Sequence, residues 1–302
     1  MIETIHNNDL KWYHIVNPSD NDIQFLQDNF SFHPLDLEDL QSKTQRPKLD
    51  IYDDYYFIIL HFPIFDKANR FIKTSEVKVF WGEKYVITIA NSQWIVRNIF
   101  NAAKENEKVK EEIMSKSSDI LLYEILDRLL GETFYLIGRL GEEVEHINTE
   151  LFRKKAERTI ERISITRRNI IILDTIFKPQ LRVFHKFESG EVHGYAEDME
   201  EYWGDILDKY QKMWDLTEDY KEIVEGLSKT FDSLQTNRTN EIMKVLTLIS
   251  SILLPLTLIA SIYGMNIVLP FQTHPYAFWI VSSSMALIVV GFVFYFKKKN
   301  YM

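Results

Sequence analysis

The chain has 302 residues, 46% hydrophobic, 14% aromatic and 26% charged, a mixture that excludes disorder and departs from an ordinary soluble average. Its formal net charge is −9, so the cationic face that nucleic acid requires is not expected. There is no cysteine, which excludes disulfides and thiolate metal sites.

The N-terminus, MIETIHNNDLKWYH, lacks a basic-then-apolar pattern, and no cleaved signal peptide is expected. Residues 10–16, 55–63, 75–82 and 84–90 carry the aromatic and β-branched content of strands. Asn17-Pro18-Ser19-Asp20 is a turn, with Ser19 placed to cap a helix ending near Phe30. HPLDLEDL (33–40) predicts a short helix, and its cluster of Asp36, Glu38 and Asp39 is expected on a capped, solvated surface. Residues 1–115 therefore predict an α/β domain, and from about Ser117 onward the chain is expected to be helical. A helix or helices over 131–187 should end near Pro179 or shortly after, with Gly190–Gly194 as the reversal.

No proline occurs between Pro179 and Pro255. In that run Trp203, Ile206, Tyr210, Met213, Thr217, Tyr220, Val224, Leu227, Phe231 and Leu234 follow a 3-4-3-4 spacing, a coiled-coil-type seam interrupted only by Thr217. Nothing breaks the pattern before the apolar tail, which predicts one helix over about 196–262, roughly 100 Å long at the usual rise.

The charge is unevenly placed. The last acid is Glu241, and beyond it the only basic residues are Lys244, Lys297, Lys298 and Lys299. Val245–Phe296 has no charged side chain, and a span needs about 20 apolar residues. Two spans are expected, at about 243–263 and 276–296, parted by GMNIVLPFQTHP. The loop between them has no Lys or Arg, so the positive-inside bias puts both termini in the cytoplasm, with Tyr276 and Trp279 at an outer aromatic belt. A buried hairpin of a large soluble protein is the alternative. The expected fold class is α+β: a cytoplasmic α/β domain (1–115), a helical stalk (116–242) and a transmembrane hairpin (243–302).

Tyr263-Gly264-Met265-Asn266 closes the first span and Lys297–Lys299 follow the second. In this position and topology the triplet resembles that of the CorA family of magnesium channels. The resemblance covers essentially the whole chain, with residues 33–60 similar to the family's N-terminal domain and 240–266 similar to its pore helix. It implies a homopentamer in the inner membrane, with stalk helices forming a funnel and the first span lining a pore for divalent cations. Gly264, Met265 and Asn266 would be the filter. Asn240, Met243, Leu246, Ser250, Leu254, Thr257 and Ser261 would line the pore, and Lys297, Lys298 and Lys299 would form a basic ring at its cytoplasmic end. No resident cofactor is implied. Mg2+ would be cargo and regulator, and the lipid bilayer and sister subunits the partners.

Those roles have a physical basis. Mg2+ prefers octahedral oxygen and dehydrates reluctantly, so a ring of Asn266 amide oxygens suits an ion that keeps its waters. Gly264 permits a turn or close approach. Gly-Met-Asn could also be only a helix C-cap and turn. Leu246 and Leu254 could gate by dewetting, with Ser250, Thr257 and Ser261 passing a hydrated ion. Small residues at that spacing also serve helix packing in membranes. On residues alone the two readings stand level, and the resemblance favours the pore. No ATP is needed: a divalent ion crossing about 100 mV, negative inside, gains roughly 4.6 kcal/mol.

Two departures bear on regulation and capture. The family's stalk aspartate, eleven residues before the asparagine matching Asn240, is Lys229 here, which leaves Asp232 as the nearby substitute for a regulatory metal ligand. The loop after Asn266 has no acid, so weaker cation capture or a different ion preference is expected. The rival readings are transport of Co2+, Ni2+ or Zn2+ by the same architecture, and a membrane-tethered signalling or scaffold protein. No HExxH, GxSxG, P-loop or dinucleotide motif supports an enzyme.

Overall fold

Among the described residues six strands assemble, the inner ones rich in aromatic and β-branched side chains. The computed structural model describes residues 2–42, 45–114, 116–151, 156–267, 269 and 274–299. Strands β1 (Ile2–Asn7), β2 (Leu10–Ile15), β3 (Lys48–Ile51), β4 (Tyr55–Asp66), β5 (Phe71–Gly82) and β6 (Tyr85–Ile89) form one sheet in the order β1-β2-β6-β5-β4-β3. The β2–β6 pair is parallel, with Tyr13 opposite Ile87, and every other pair is antiparallel. The four expected strands are β2, β4, β5 and β6. The two the sequence did not signal, β1 and β3, are the sheet's edges, where strands tend to be short and charged.

Both faces of the sheet are covered. Tyr13, Ile15, Tyr55, Phe57, Ile59, Phe80, Ile87 and Ile89 point to one face and pack with Leu26 of α1 (Asp20–Asn29) and Leu37 and Leu40 of α2 (Pro34–Gln41). The alternate residues, among them Trp12, Ile58, Val79, Trp81 and Val86, are buried on the other face. There Trp12 meets Phe100 of α3 (Trp94–Glu105) edge-on at 5.1 Å. Burial on both faces explains why β4 reads as a continuous apolar run rather than an alternating one. A short helix α4 (Glu107–Met114) leads into the helical part.

Ser19 caps α1 as expected, in a full capping box with Asp22. The carboxylate cluster on α2 corrects the sequence reading. Asp36 is 1% exposed, accepts hydrogen bonds from the Tyr55 hydroxyl at 2.8 Å and the Tyr52 hydroxyl at 3.2 Å, and lies 3.8 Å from Lys48. It is a buried polar anchor between α2 and the β3–β4 edge. Burial raises its pKa above the usual carboxylate range, against the pull of the two phenols and Lys48.

Helices α5 (Ser118–Leu151), α6 (Ala156–Glu188) and α7 (Glu200–Tyr263) follow. Pro179 does not end α6; the helix runs through it to Glu188. Gly190 and Gly194 supply the reversal with φ of 76° and 66°. The 3-4 seam of α7 is buried from Trp203 to Phe231 apart from half-buried Tyr220, and it opens at Leu234. Thr217 is 0% exposed, and its hydroxyl is satisfied there by donating to Met213 O within the helix at 2.8 Å. The chain divides into two units, residues 1–228 and 229–302. The second holds the C-terminal part of α7 and α8 (Ala277–Lys298). Lys297 and Lys298 form the last turn of α8 and Lys299 its C-cap, where cations complement the helix dipole.

Candidate permeation site

Among the described residues two helices are long and apolar enough to cross a membrane, α8 and α7, the latter in its C-terminal part. At 3.6 residues per turn, Asn240, Met243, Leu246, Ser250, Leu254, Thr257 and Ser261 fall within an arc of about 120°. All seven are exposed in the protomer. Leu248 on the opposite arc is buried, and Ser251, Ile252, Pro255, Leu256 and Ile259 beside it are half-buried. On α8, Ala277, Val281, Met285, Ile288, Phe292 and Phe296 are half-buried at helical spacing. Each helix of the hairpin thus has one shielded stripe, and the Asn240–Ser261 stripe lies within the open part of α7, beside exposed Ile249, Leu253 and Leu258, while Ser251 sits on the shielded side.

The hydroxyl of Thr257 donates to Leu253 O at 2.8 Å, which leaves its oxygen lone pairs on the open face. Pro255 lies on the shielded side, where it removes the helix donor to the Ser251 carbonyl. Leu254 is 69% exposed, the most exposed leucine of the α7 stripe.

α7 ends where Gly264 N donates to Ala260 O at 2.9 Å and Met265 N to Ile262 O at 3.2 Å. A Cβ on Gly264 would sit 3.1 Å from Ala260 O, so close approach rather than a left-handed φ calls for glycine. Met265 is half exposed, and Asn266 is exposed with no side-chain partner among the described residues. The loop positions 268 and 270–273 lie outside the described residues. Asp232 is exposed on α7, and among the described residues no three His, Asp or Glu side chains come together in one chain to hold a metal.

What holds α7 in the first unit was not legible in the sequence. Gln180, fully buried, accepts from His61 N at 2.6 Å, and its amide nitrogen lies 2.9 Å from His61 O and 3.0 Å from the Tyr210 hydroxyl. Tyr210 in turn donates to Phe177 O at 3.1 Å. Burial raises the Tyr210 pKa well above its ordinary value, so the phenol stays protonated. One α6 amide therefore joins β4 to α7. Asn169, also on α6, accepts from Ile72 N at 2.9 Å and donates to Arg70 O at 3.3 Å, fixing the tip of the β4–β5 hairpin.

A sheet covered on both faces, a 64-residue helix whose C-terminal part is apolar enough to span a bilayer, and a second apolar helix ending in lysines define a membrane protein with a folded head. A family model described as CorA-like Mg2+ transporter protein matches residues 7–298. The chain belongs to this family, which is one of transporters and not of enzymes. It is 30% identical over 286 residues to the cobalt/magnesium transport protein CorA of Thermotoga maritima, covering 93% of this chain and 80% of that one. It is 22% identical to the CorA of Methanocaldococcus jannaschii, covering 97% of this chain and 92% of that one. The complete structure of the M. jannaschii magnesium transporter superposes with a TM-score of 0.82 over 99% of this chain and 93% of that chain, at 20% identity. That likeness supports the fold.

Proposed function

We propose that the chain is one subunit of a homopentameric channel in the cell's inner membrane, which lets divalent cations, Mg2+ foremost, run passively into the cytoplasm. The carrying observation is the polar-and-leucine stripe from Asn240 to Ser261, left open in the protomer while the opposite arc of α7 is shielded. An exposed row of hydroxyls and amide is poorly placed against lipid; five copies turned inward would give it water.

In this reading residues 1–115 form the head, 116–242 the stalk and 243–302 the membrane hairpin, with both termini cytoplasmic. Gly264, Met265 and Asn266 form the filter, and the free Asn266 amides accept hydrogen bonds from the ion's waters, sparing the dehydration Mg2+ resists. Leu246 and Leu254 close the path by dewetting. Lys297, Lys298 and Lys299 ring the cytoplasmic mouth. Asp232 is offered as a regulatory Mg2+ ligand shared between subunits.

The test is ion entry into liposomes holding the reconstituted protein, under an inside-negative potential. Wild type is expected to admit Mg2+, and Asn266→Ala to lose most of that flux. Equal flux through both removes the filter. The acid-free outer loop makes ion order a real variable, so Co2+, Ni2+ and Zn2+ are run in parallel. Entry of one of these with Mg2+ excluded changes the cargo, and entry of none leaves the scaffold reading.

A further inference from the structure

Although the protein is acidic overall, cationic side chains collect along one of its grooves. It is an open groove between α6 and the segment Arg46–Asp50, which includes β3, with a volume of about 780 Å³. That is within the range of small-molecule sites. β3 is a sheet edge, so its far side pairs with no other strand among the described residues.

Charge in the groove is not self-compensated. Lys48 is spent on Asp39 at 2.8 Å and Asp50 at 2.6 Å, and Asp174 faces Lys221 at 3.5 Å. Lys186 reaches Glu191 only at 3.8 Å. Arg46, Lys178 and Arg182 line the groove with no ion pair among the described residues, and all three are exposed. Lys178, Arg182 and Lys186 are spaced i, i+4, i+8 on one face of α6, where like charges repel. An anion in the groove would relieve that repulsion.

The rest of the lining suits a small organic anion better than a bare one. Pro179 has no N–H, so the Thr175 carbonyl on the same wall lacks its helix donor and can accept from a ligand hydroxyl or amine. Leu49 and Val183 give a buried apolar floor.

We propose that this groove binds a phosphate-bearing small molecule of nucleotide size, its phosphates held by Arg46, Lys178 and Arg182 and a hydroxyl or amine at the Thr175 carbonyl. Arginine forks match phosphate oxygens in pairs. The same chemistry is presented by a soluble nucleotide and by a phosphorylated inositol headgroup. The inference does not rest on the channel reading.

The experiment is calorimetric titration of the full-length protein in detergent-free lipid nanodiscs with ATP, with inorganic phosphate, and with vesicles carrying phosphoinositide headgroups. A chelator is present throughout, so transported metal plays no part and failure of the channel reading leaves the result untouched. Saturable binding of ATP or of the headgroup vesicles is expected, with phosphate competing weakly. Lys178→Glu/Arg182→Glu should weaken it at least about tenfold, while Arg167→Glu, also exposed on α6 but outside the groove, should not. Arg46→Glu serves as the second variant should the double variant not fold. Preference between ATP and vesicles identifies the source. Saturation by neither, or undiminished binding by a folded groove variant, overturns the proposal.

Discussion

Gln180→Met is the substitution that best tests how the body is held together. The side chain is 0% exposed, and methionine conserves most of its volume, so little cavity forms. What is lost is polar. The N–H and C=O of His61 would each lose a partner, at 2.6 and 2.9 Å, in a buried stretch of β4. The Tyr210 hydroxyl keeps Phe177 O as its acceptor, so it is not left alone. An orphaned buried group costs about 1–3 kcal/mol, which makes the expected loss roughly 2–6 kcal/mol for two. Denaturant unfolding followed by tryptophan fluorescence measures it, since Trp81 and Trp203 report the adjoining core. Hydrogen exchange at the His61 amide localises it. A protonated glutamic acid can accept from the N–H and donate to the C=O, so Gln180→Glu should be rescued by acid. A loss below about 1 kcal/mol in Gln180→Met, with His61 still protected, would refute the argument that this amide stands in for a neighbouring strand.

Three further outcomes are expected. His14 is buried against Phe100, and burial pushes its imidazole pKa down to about 4. The unfolded chain therefore takes up a proton first, and stability present above about pH 6.5 should fall, by at most about 3 kcal/mol, as pH drops toward 4; urea unfolding against pH reads this, and His14→Phe should flatten that window. Gly194→Ala should cost at least about 1–2 kcal/mol in thermal unfolding, because φ is 66° and the new Cβ would collide with the Asp119 carboxylate that accepts from Tyr195 N. Leu254→Ser, which wets the most exposed leucine of the stripe, should raise resting Mg2+ flux in liposomes several-fold, and unchanged flux would remove Leu254 from the gate.

What was legible in the sequence follows from range. Interior strands announced themselves through their own side chains, as did Ser19, whose partner Asp22 is three residues away. The edges β1 and β3 did not, since half-solvated strands need fewer apolar residues. α3 and α4 went unassigned between the strand-rich segment and Ser117. Asp36 was read as a surface charge because its phenolic partners lie 16 and 19 residues further on. The helical stretch expected over 131–187, ending near Pro179 or shortly after, does run on past that residue to Glu188: tertiary packing carries α6 through the proline, with Gln180 and Phe184 just beyond it both buried. The triplet at Gly264–Asn266 and the apolar tail were legible because they are contiguous. The clamp at Gln180 was not, because nothing local marks a glutamine whose partner is 119 residues away.

α7 makes the reason concrete. Its two halves carry the same 3-4 spacing and the spacing means opposite things. Up to Phe231 it marks side chains removed from solvent, with Thr217 tolerated only because its hydroxyl bonds back to the helix. From Asn240 to Ser261 the spaced residues are all exposed, together with apolar neighbours such as Ile249, Leu253 and Leu258, and the shielded residues Leu248, Ile252 and Leu256 lie on the opposite side. Periodicity reports which positions share a face, not which phase that face meets. In water the apolar face turns inward. In lipid the polar one must, because an unpartnered polar group there costs several kcal/mol. Composition supplies the missing variable: once the last charge before the tail, Lys244, is passed, the surrounding medium changes, and a stripe of Ser250, Thr257 and Ser261 becomes the part of the helix that needs covering.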